Sequence, residues 1–410
     1  MDKLSHRLVQ MLDELGRVTD EPGRLTRTFL SPAMERANEL VGRWMREAGL
    51  SVREDETGNL IGRLECPVKS ARTLLMGSHL DTVRNAGRFD GDLGVVLPIV
   101  ASMNLKERRI ALPFHVEVLG FSEEEAVRFT GAYIGSKAYT GRLRVADLRL
   151  RDTRNQTLLE VIEAHAEKRF APPKSVHRAA DLLGYVEVHI EQGPVLESKK
   201  LAVGVVSTIA SQARGRLTFR GKAGHAGTTP MNLRRDALAG AAEFIIFAEA
   251  FAGARPPLVA TVGTINVPAG AANVIPGETV LSIDVRHAND AACDAAVAEL
   301  VRQARRTARG RQLVCKWEPT MRHLATPCSP QLTKQLSRSI RTVQGKGLSL
   351  ISGAGHDGVV MAALTPIAML FVRCRDGLSH HPGEYAAPKD LDVALRVIVD
   401  FLERLGETKT

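Results

Sequence analysis

A chain of 410 residues with 44% hydrophobic and 25% charged residues has room for two or three domains and lies far from the composition of a disordered chain. Its 55 Lys and Arg exceed its 46 Asp and Glu, giving a net charge of +9 and favouring an anionic partner: nucleic acid, a membrane surface or a small acidic substrate. Aromatic residues at 4% are too few for the stacking platforms of single-strand binders, and the longest nearly apolar stretch, Gly94 to Met103, falls short of the roughly 20 residues that span a bilayer.

Leu4, Leu8, Leu12 and Leu15 recur at helical spacing around Asp13 and Glu14, predicting an amphipathic surface helix rather than a signal peptide. From about residue 55 to 200, short apolar runs alternate with helical periodicity. Leu74 to Met76, Phe114 to Phe121 and Tyr185 to Ile190 read as strands and Gly94 to Leu105 as a helix, while residues 150 to 180 read as a surface helix with flanking loops. After residue 203 the rhythm becomes strand (Gly204 to Phe219), helix (Asp236 to Phe251), two strands (Leu258 to Val267, Thr279 to Arg286), helix (Asp290 to Arg309) and strand (Gln312 to Glu318). That is the order of a ferredoxin-like split unit. Helix and strand then alternate again: Leu332 to Val343, Leu348 to Ile351, Val359 to Leu364, Ile367 to Val372, Asp390 to Leu405. The expected fold is α/β, a mixed and mostly parallel sheet flanked by helices and interrupted by a smaller α+β domain. Five cysteines, Cys66, Cys293, Cys315, Cys328 and Cys374, form no CxxC and fit free thiols in a reduced, cytoplasmic interior.

Five polar clusters end predicted strands or open helices: His79 with Asp81, Asp90 before a helix, Glu123-Glu124-Glu125, His189, and the His380-His381 pair. Taken singly, each has an ordinary reading. Asp90 can cap a helix, the acidic triplet can be a solvated loop, and a lone strand histidine can be structural. In a parallel sheet, however, strand carboxyl ends converge on one edge. Imidazoles and carboxylates gathered there suit zinc or a neighbouring first-row metal, and a shared carboxylate can hold two ions. GxSxG and HExxH are absent; Gly353 to Gly358 matches GxGxxG, but too little chain follows to build the second half of a dinucleotide site.

The segments GSHLDTV, GRFDG, FSEEEAVRF, HIEQGPVLE, GKAGHAGTTPM, NVIPG, SGAGHDG and LFVRCRDGLSHHPGEY follow one another between residues 77 and 385. Together they resemble the hydantoinase/carbamoylase-type amidohydrolases, which include N-carbamoyl-L-amino acid hydrolases and allantoate amidohydrolases, within the zinc exopeptidase and aminoacylase superfamily. The resemblance implies a catalytic domain over 1–208 and 323–410 with a lid and dimerisation domain inserted over 209–322. It implies two divalent metal ions per subunit, zinc first with manganese, cobalt or nickel as alternatives. One would be held by His79, Asp90 and His189, the other by Asp90, Glu125 and His380. It makes Glu124 the general base, Asp81 the partner of His79, and His225 an oxyanion donor acting from the partner subunit of a homodimer. Gln192, Asn273, Arg286, Gly355 and His356 match substrate-contacting positions, with Arg286 facing the substrate carboxylate. The implied substrate is a small anionic ureido or N-carbamoyl acid, with no nucleic acid and no membrane involved. The alternative is a metallopeptidase or aminoacylase cleaving a dipeptide or N-acyl amino acid, which His189 disfavours because those relatives generally have Asp or Glu there. Ala126, Arg84, Ala86 and His381 depart from the usual pattern without removing a ligand.

Overall fold

The computed structural model describes residues 3–68 and 70–407. The chain forms two compact units, one from Met1–Ser207 with Pro327–Thr410 and the other from Thr208–Thr326.

The first unit is built on a nine-stranded sheet. Its centre is four adjacent parallel strands, in spatial order His115–Phe121, Thr73–His79, Leu182–Ile190 and Ile367–Val372. Every residue of Thr73–His79, His115–Phe121 and Ile367–Val372 is buried, as expected of parallel strands covered on both faces. The flanks turn antiparallel: Leu60–Leu64 pairs with His115–Phe121, and Val203–Ile209 pairs with Ile367–Val372. Register sets the functional edge, because His79 lies opposite Phe121 and His189 opposite Phe371, so the chain segments leaving these strands emerge at one level.

The helices are specified locally. Lys3–Leu15 buries Leu4, Leu8, Leu12 and Leu15 on one stripe, and Pro388–Glu407 buries its apolar face in the same core. Pro32–Glu47, which the apolar pattern did not reveal, is announced by Ser31 as a cap, its hydroxyl accepting from the Met34 amide, with Pro32 opening the helix. Asp92–Glu107 follows Gly91, whose φ of +70° brings its backbone against the His79 ring; a Cβ there would lie 2.4 Å from ring atoms, so glycine is required. Among the described residues, no helix is long and apolar enough to cross a membrane.

The second unit has an antiparallel sheet in the order Ile265–Asn266, Glu278–His287, Ser211–Arg220, Val314–His323, with Val259–Thr261 also paired to Glu278–His287. Helices Ala237–Gly253 and Asp290–Gly310 share a core with the sheet around Leu217, Phe219, Phe244, Leu281 and Leu300. The strand expected over Gly204 to Phe219 is two strands: the chain breaks at Ala210, and Val203–Ile209 and Ser211–Arg220 join different sheets. Val203–Ile209 is largely apolar and Ser211–Arg220 alternates buried and exposed residues, but no glycine or proline marks the junction between them.

Candidate metal centre

Asp90 sits in the turn before the Asp92–Glu107 helix, buried, with three imidazoles around its carboxylate. His189 Nε2 lies 3.0 Å and His79 Nε2 3.6 Å from Oδ1, and His380 Nε2 lies 3.2 Å from Oδ2 and 3.6 Å from Glu125 Oε1. Three groups have donor atoms within 4.8 Å of one another: His79, Asp90 and His189; Asp90, Glu125 and His380; and His79, Glu124 and Glu125. Burial raises the Asp90 carboxyl, but the imidazoles outweigh it and hold it well below the usual range. Burial drives Glu124 well above that range, opposed by His79 and reinforced by Glu125, Asp357 and Asp81, while burial and the Asp90 charge push Glu125 up to about 7. Carboxylates crowded together out of water need positive charge between them, so the donor set fits divalent cations.

The histidines are oriented through their second nitrogens. His189 Nδ1 lies 2.9 Å from the Ile190 carbonyl and His79 Nδ1 2.9 Å from the Asp81 carbonyl. The Asp81 carboxylate, expected to take the His79 N–H, stands 3.5 Å away from it. Its two oxygens instead accept the backbone N–H groups of Glu124 at 2.9 Å and Glu125 at 3.1 Å. These amides follow the His115–Phe121 strand next door, so Asp81 ties two neighbouring strand ends together.

Two residues that sequence reasoning missed hold Asp90 in place. Ser379 Oγ lies 3.0 Å from Asp90 Oδ2 and 2.9 Å from Glu384 Oε2, its one proton shared between the two carboxyl groups, and Glu384 Oε1 accepts the Phe89 and Asp90 amides. Both lie in the LSHHPGEY segment, where the neighbouring histidines were the only signal. Gln192, at φ +55°, places its amide nitrogen 3.0 Å from Asp90 Oδ2, so it too touches the central carboxylate.

His356 packs edge-on against His189 with ring centroids 4.4 Å apart, and its Nε2 lies 2.8 Å from Ser352 Oγ. Burial, helped by the charge of His189, pulls it well below the ordinary histidine range. Gly355 lies against Tyr133, whose hydroxyl would be 2.1 Å from a Cβ at that position. The GxGxxG segment offers no phosphate cradle, because the Gly358 amide donates to Glu187 Oε2 at 3.0 Å.

Three of the residues expected to serve the reaction, His225, Asn273 and Arg286, belong to the second unit. His225 pairs with Val274 across a two-stranded ladder and accepts the Gly227 amide at Nδ1; the next amide, of Ala226, donates to the Asn273 carbonyl, which places His225 and Asn273 side by side. Arg286 lies on Glu278–His287, in a different sheet, its guanidinium forked onto Asp284 at 2.8 and 2.9 Å; Gln212 and Arg214 also reach that carboxylate.

A parallel sheet that gathers three imidazoles and several carboxylates at its carboxyl edge defines a class, the metal-dependent hydrolases of α/β fold. The model of peptidase family M20/M25/M40 matches residues 75–404. Allantoate deiminase 1 of Glycine max is 38% identical over 98% of this chain and 90% of its own length. N-carbamoyl-L-amino acid amidohydrolase of Geobacillus stearothermophilus is 37% identical over 98% of both. The crystal structure of a hydantoinase/carbamoylase family amidase from Burkholderia multivorans superposes with a TM-score of 0.91 at 30% identity, over 98% of this chain and 97% of that one. The chain belongs to peptidase family M20/M25/M40 and, within it, to the hydantoinase/carbamoylase amidases.

Proposed function

We propose that this protein is a dinuclear-metal amidohydrolase that hydrolyses the terminal C–N bond of an N-carbamoyl or ureido acid, allantoate or an N-carbamoyl-L-amino acid, and releases ammonia. The observation that carries the reading is Asp90, one buried carboxylate shared by two groups of candidate ligands with Glu124 beside them. The names of the relatives from Glycine max and Geobacillus stearothermophilus support the substrate class.

His79, Asp90 and His189 would hold one ion and Asp90, Glu125 and His380 the other; zinc suits this mixture of imidazole and carboxylate, and manganese, cobalt or nickel are accepted by the same donors. Bound there, divalent ions acidify water and polarise a carbonyl oxygen. Glu124 takes the proton of the attacking water as its oxygen bonds to the ureido carbon, then gives that proton to the nitrogen as the terminal C–N bond breaks and ammonia leaves. Asp81 holds the backbone of Glu124 and so fixes where that carboxylate stands. In a homodimer formed through the Thr208–Thr326 unit acting as a lid, His225 of the partner subunit donates to the oxyanion, and Asn273, which stands beside it in the same chain, contacts the substrate. Arg286 takes the substrate carboxylate in exchange for Asp284, with Gln192, Gly355 and His356 lining the remainder. Five free cysteines support a reducing, cytoplasmic setting.

A substrate panel tests this reading. Protein loaded with zinc, manganese, cobalt or nickel should release ammonia from allantoate or an N-carbamoyl-L-amino acid and leave dipeptides and N-acyl amino acids intact. Glu124→Gln should lower that rate by roughly 10²–10⁴-fold with an unchanged circular dichroism spectrum. Cleavage of dipeptides in place of ammonia release would move the enzyme to the peptidase branch, and an undiminished rate in the variant would remove Glu124 as the base.

A further inference from the structure

The Thr208–Thr326 unit holds a second concave site, with no residue in common with the metal centre or the groups assigned to the reaction. Helix Asp290–Gly310 and edge strand Val314–His323 flank an open cavity of about 900 Å³, within the size range of small-molecule and cofactor pockets. Its apolar lining includes Val297, Val301, Trp317 and Met321. The indole is fixed from below: its six-membered ring lies over Gly215 of the adjacent strand, where a Cβ would be 2.1 Å from ring carbon, so the absence of a side chain at Gly215 makes room for it.

The polar lining is almost entirely arginine. Arg302, Arg305 and Arg309 follow one another at i, i+3 and i+7, so they project from one stripe of the helix over about 10 Å, and Arg214 and Arg322 add two guanidiniums from the strands. Three of the five are already engaged: Arg214 with Asp284, Arg302 with Glu299, and Arg322 with Asp290 and Asp294. Arg305 and Arg309 have no acidic partner among the described residues, and both are exposed. The basic run on this helix, which in the sequence looks like an ordinary solvated face, therefore walls a cavity with an aromatic lining.

Guanidiniums without partners are matched by phosphate oxygens in a bidentate fork, and an indole pinned on one side is matched by a flat aromatic ring. We propose that this cavity binds a nucleotide-sized aromatic phosphate, with the phosphate on Arg305 and Arg309 and the ring against Trp317. A free mononucleotide such as AMP has both parts and the right size. The apolar lining beside the guanidiniums, Val297, Val301, Trp317 and Met321, favours a small molecule over a nucleic-acid strand, which needs a longer basic track.

The chain's own fluorescence reads the site, because Trp317 is one of two tryptophans and the other, Trp44, is buried in the core of the first unit. In Trp44→Phe protein, AMP should quench the remaining emission saturably. Calorimetric titration of the unaltered chain gives the same affinity independently if that substitution perturbs folding. Arg305→Gln combined with Arg309→Gln should weaken AMP at least ten-fold while metal-dependent hydrolysis stays unchanged. Arg306→Gln, on the same helix but outside the cavity lining, should leave the affinity as it was. Inorganic phosphate and adenosine should each bind at least ten-fold more weakly than AMP. The proposal is overturned by any of four results: no saturable binding at millimolar AMP, equal loss in the Arg306 variant, inorganic phosphate binding as well as AMP, or tighter binding of a single-stranded oligonucleotide.

Discussion

Each Asp81 oxygen accepts one backbone N–H, from Glu124 and from Glu125, and its own carbonyl meets His79 Nδ1. Asparagine keeps one acceptor and points an N–H at the other amide, a buried mismatch of about 1–3 kcal/mol. Asp81→Asn should therefore lower the melting temperature and reduce activity or metal affinity by roughly 10–100-fold, read by calorimetry and by metal titration. Ala126 gives a prediction of opposite sign. It adopts φ +56° immediately after Glu125, a left-handed conformation that costs a non-glycine residue about 1–2 kcal/mol, against which glycine's extra chain entropy counts for roughly 0.5–1 kcal/mol. Ala126→Gly should stabilise the protein slightly, by up to about 1 kcal/mol in denaturant unfolding. At this scale the sequence was informative where chemistry is concentrated: histidines and carboxylates placed just after apolar runs stand out, and the structure brings His79, Asp90, Glu125, His189 and His380 together. Ser379 and Glu384 were illegible because their job, holding Asp90 across nearly 300 residues of chain, leaves no periodic or compositional trace.

Between elements, buried charges act as ties. Glu117, on the His115–Phe121 strand, accepts from Arg63 at 2.8 Å and from Tyr139 at 2.9 Å, and lies 3.0 Å from His177 Nε2, joining a neighbouring strand, the Ile134–Tyr139 helix and a loop. Burial raises its carboxyl, but His177, Arg63 and Tyr139 together overcome that and hold it at about 2. A carboxyl depressed on folding stabilises the native state above its unfolded value near 4.5 and loses that contribution as pH falls towards 2. Glu117→Gln should thus cost on the order of 2 kcal/mol at pH 7, with the gap to the parent protein closing below about pH 4; chemical unfolding at a series of pH values measures it. Elements with strong periodicity were readable, as in the strand expected over Phe114 to Phe121 and found at His115–Phe121. Pro32–Glu47 was missed although Ser31 and Pro32 mark its start, because its buried Ala37, Asn38 and Gly42 blur the apolar stripe. The break at Ala210 was missed because no glycine or proline marks the junction between Ile209 and Ser211.

For the whole molecule, the excess of nine positive charges resolves into places with different roles. Arg27 is wholly buried beneath the metal centre, paired with Asp92, while the Asp290–Gly310 helix turns three arginines towards a cavity. The interruption of the first unit also bears on how the protein is made. Its central strand Ile367–Val372 is sandwiched between Leu182–Ile190 and Val203–Ile209, which are both synthesised well before it. The Thr208–Thr326 unit is continuous in sequence and can complete its own sheet while the ribosome is still working. The larger sheet waits with two facing edges unpaired until the last segment emerges, the interval in which exposed strands invite aggregation. The same segment brings Ser379, His380 and Glu384, so the ligand group of Asp90, Glu125 and His380 is complete only once the sheet closes.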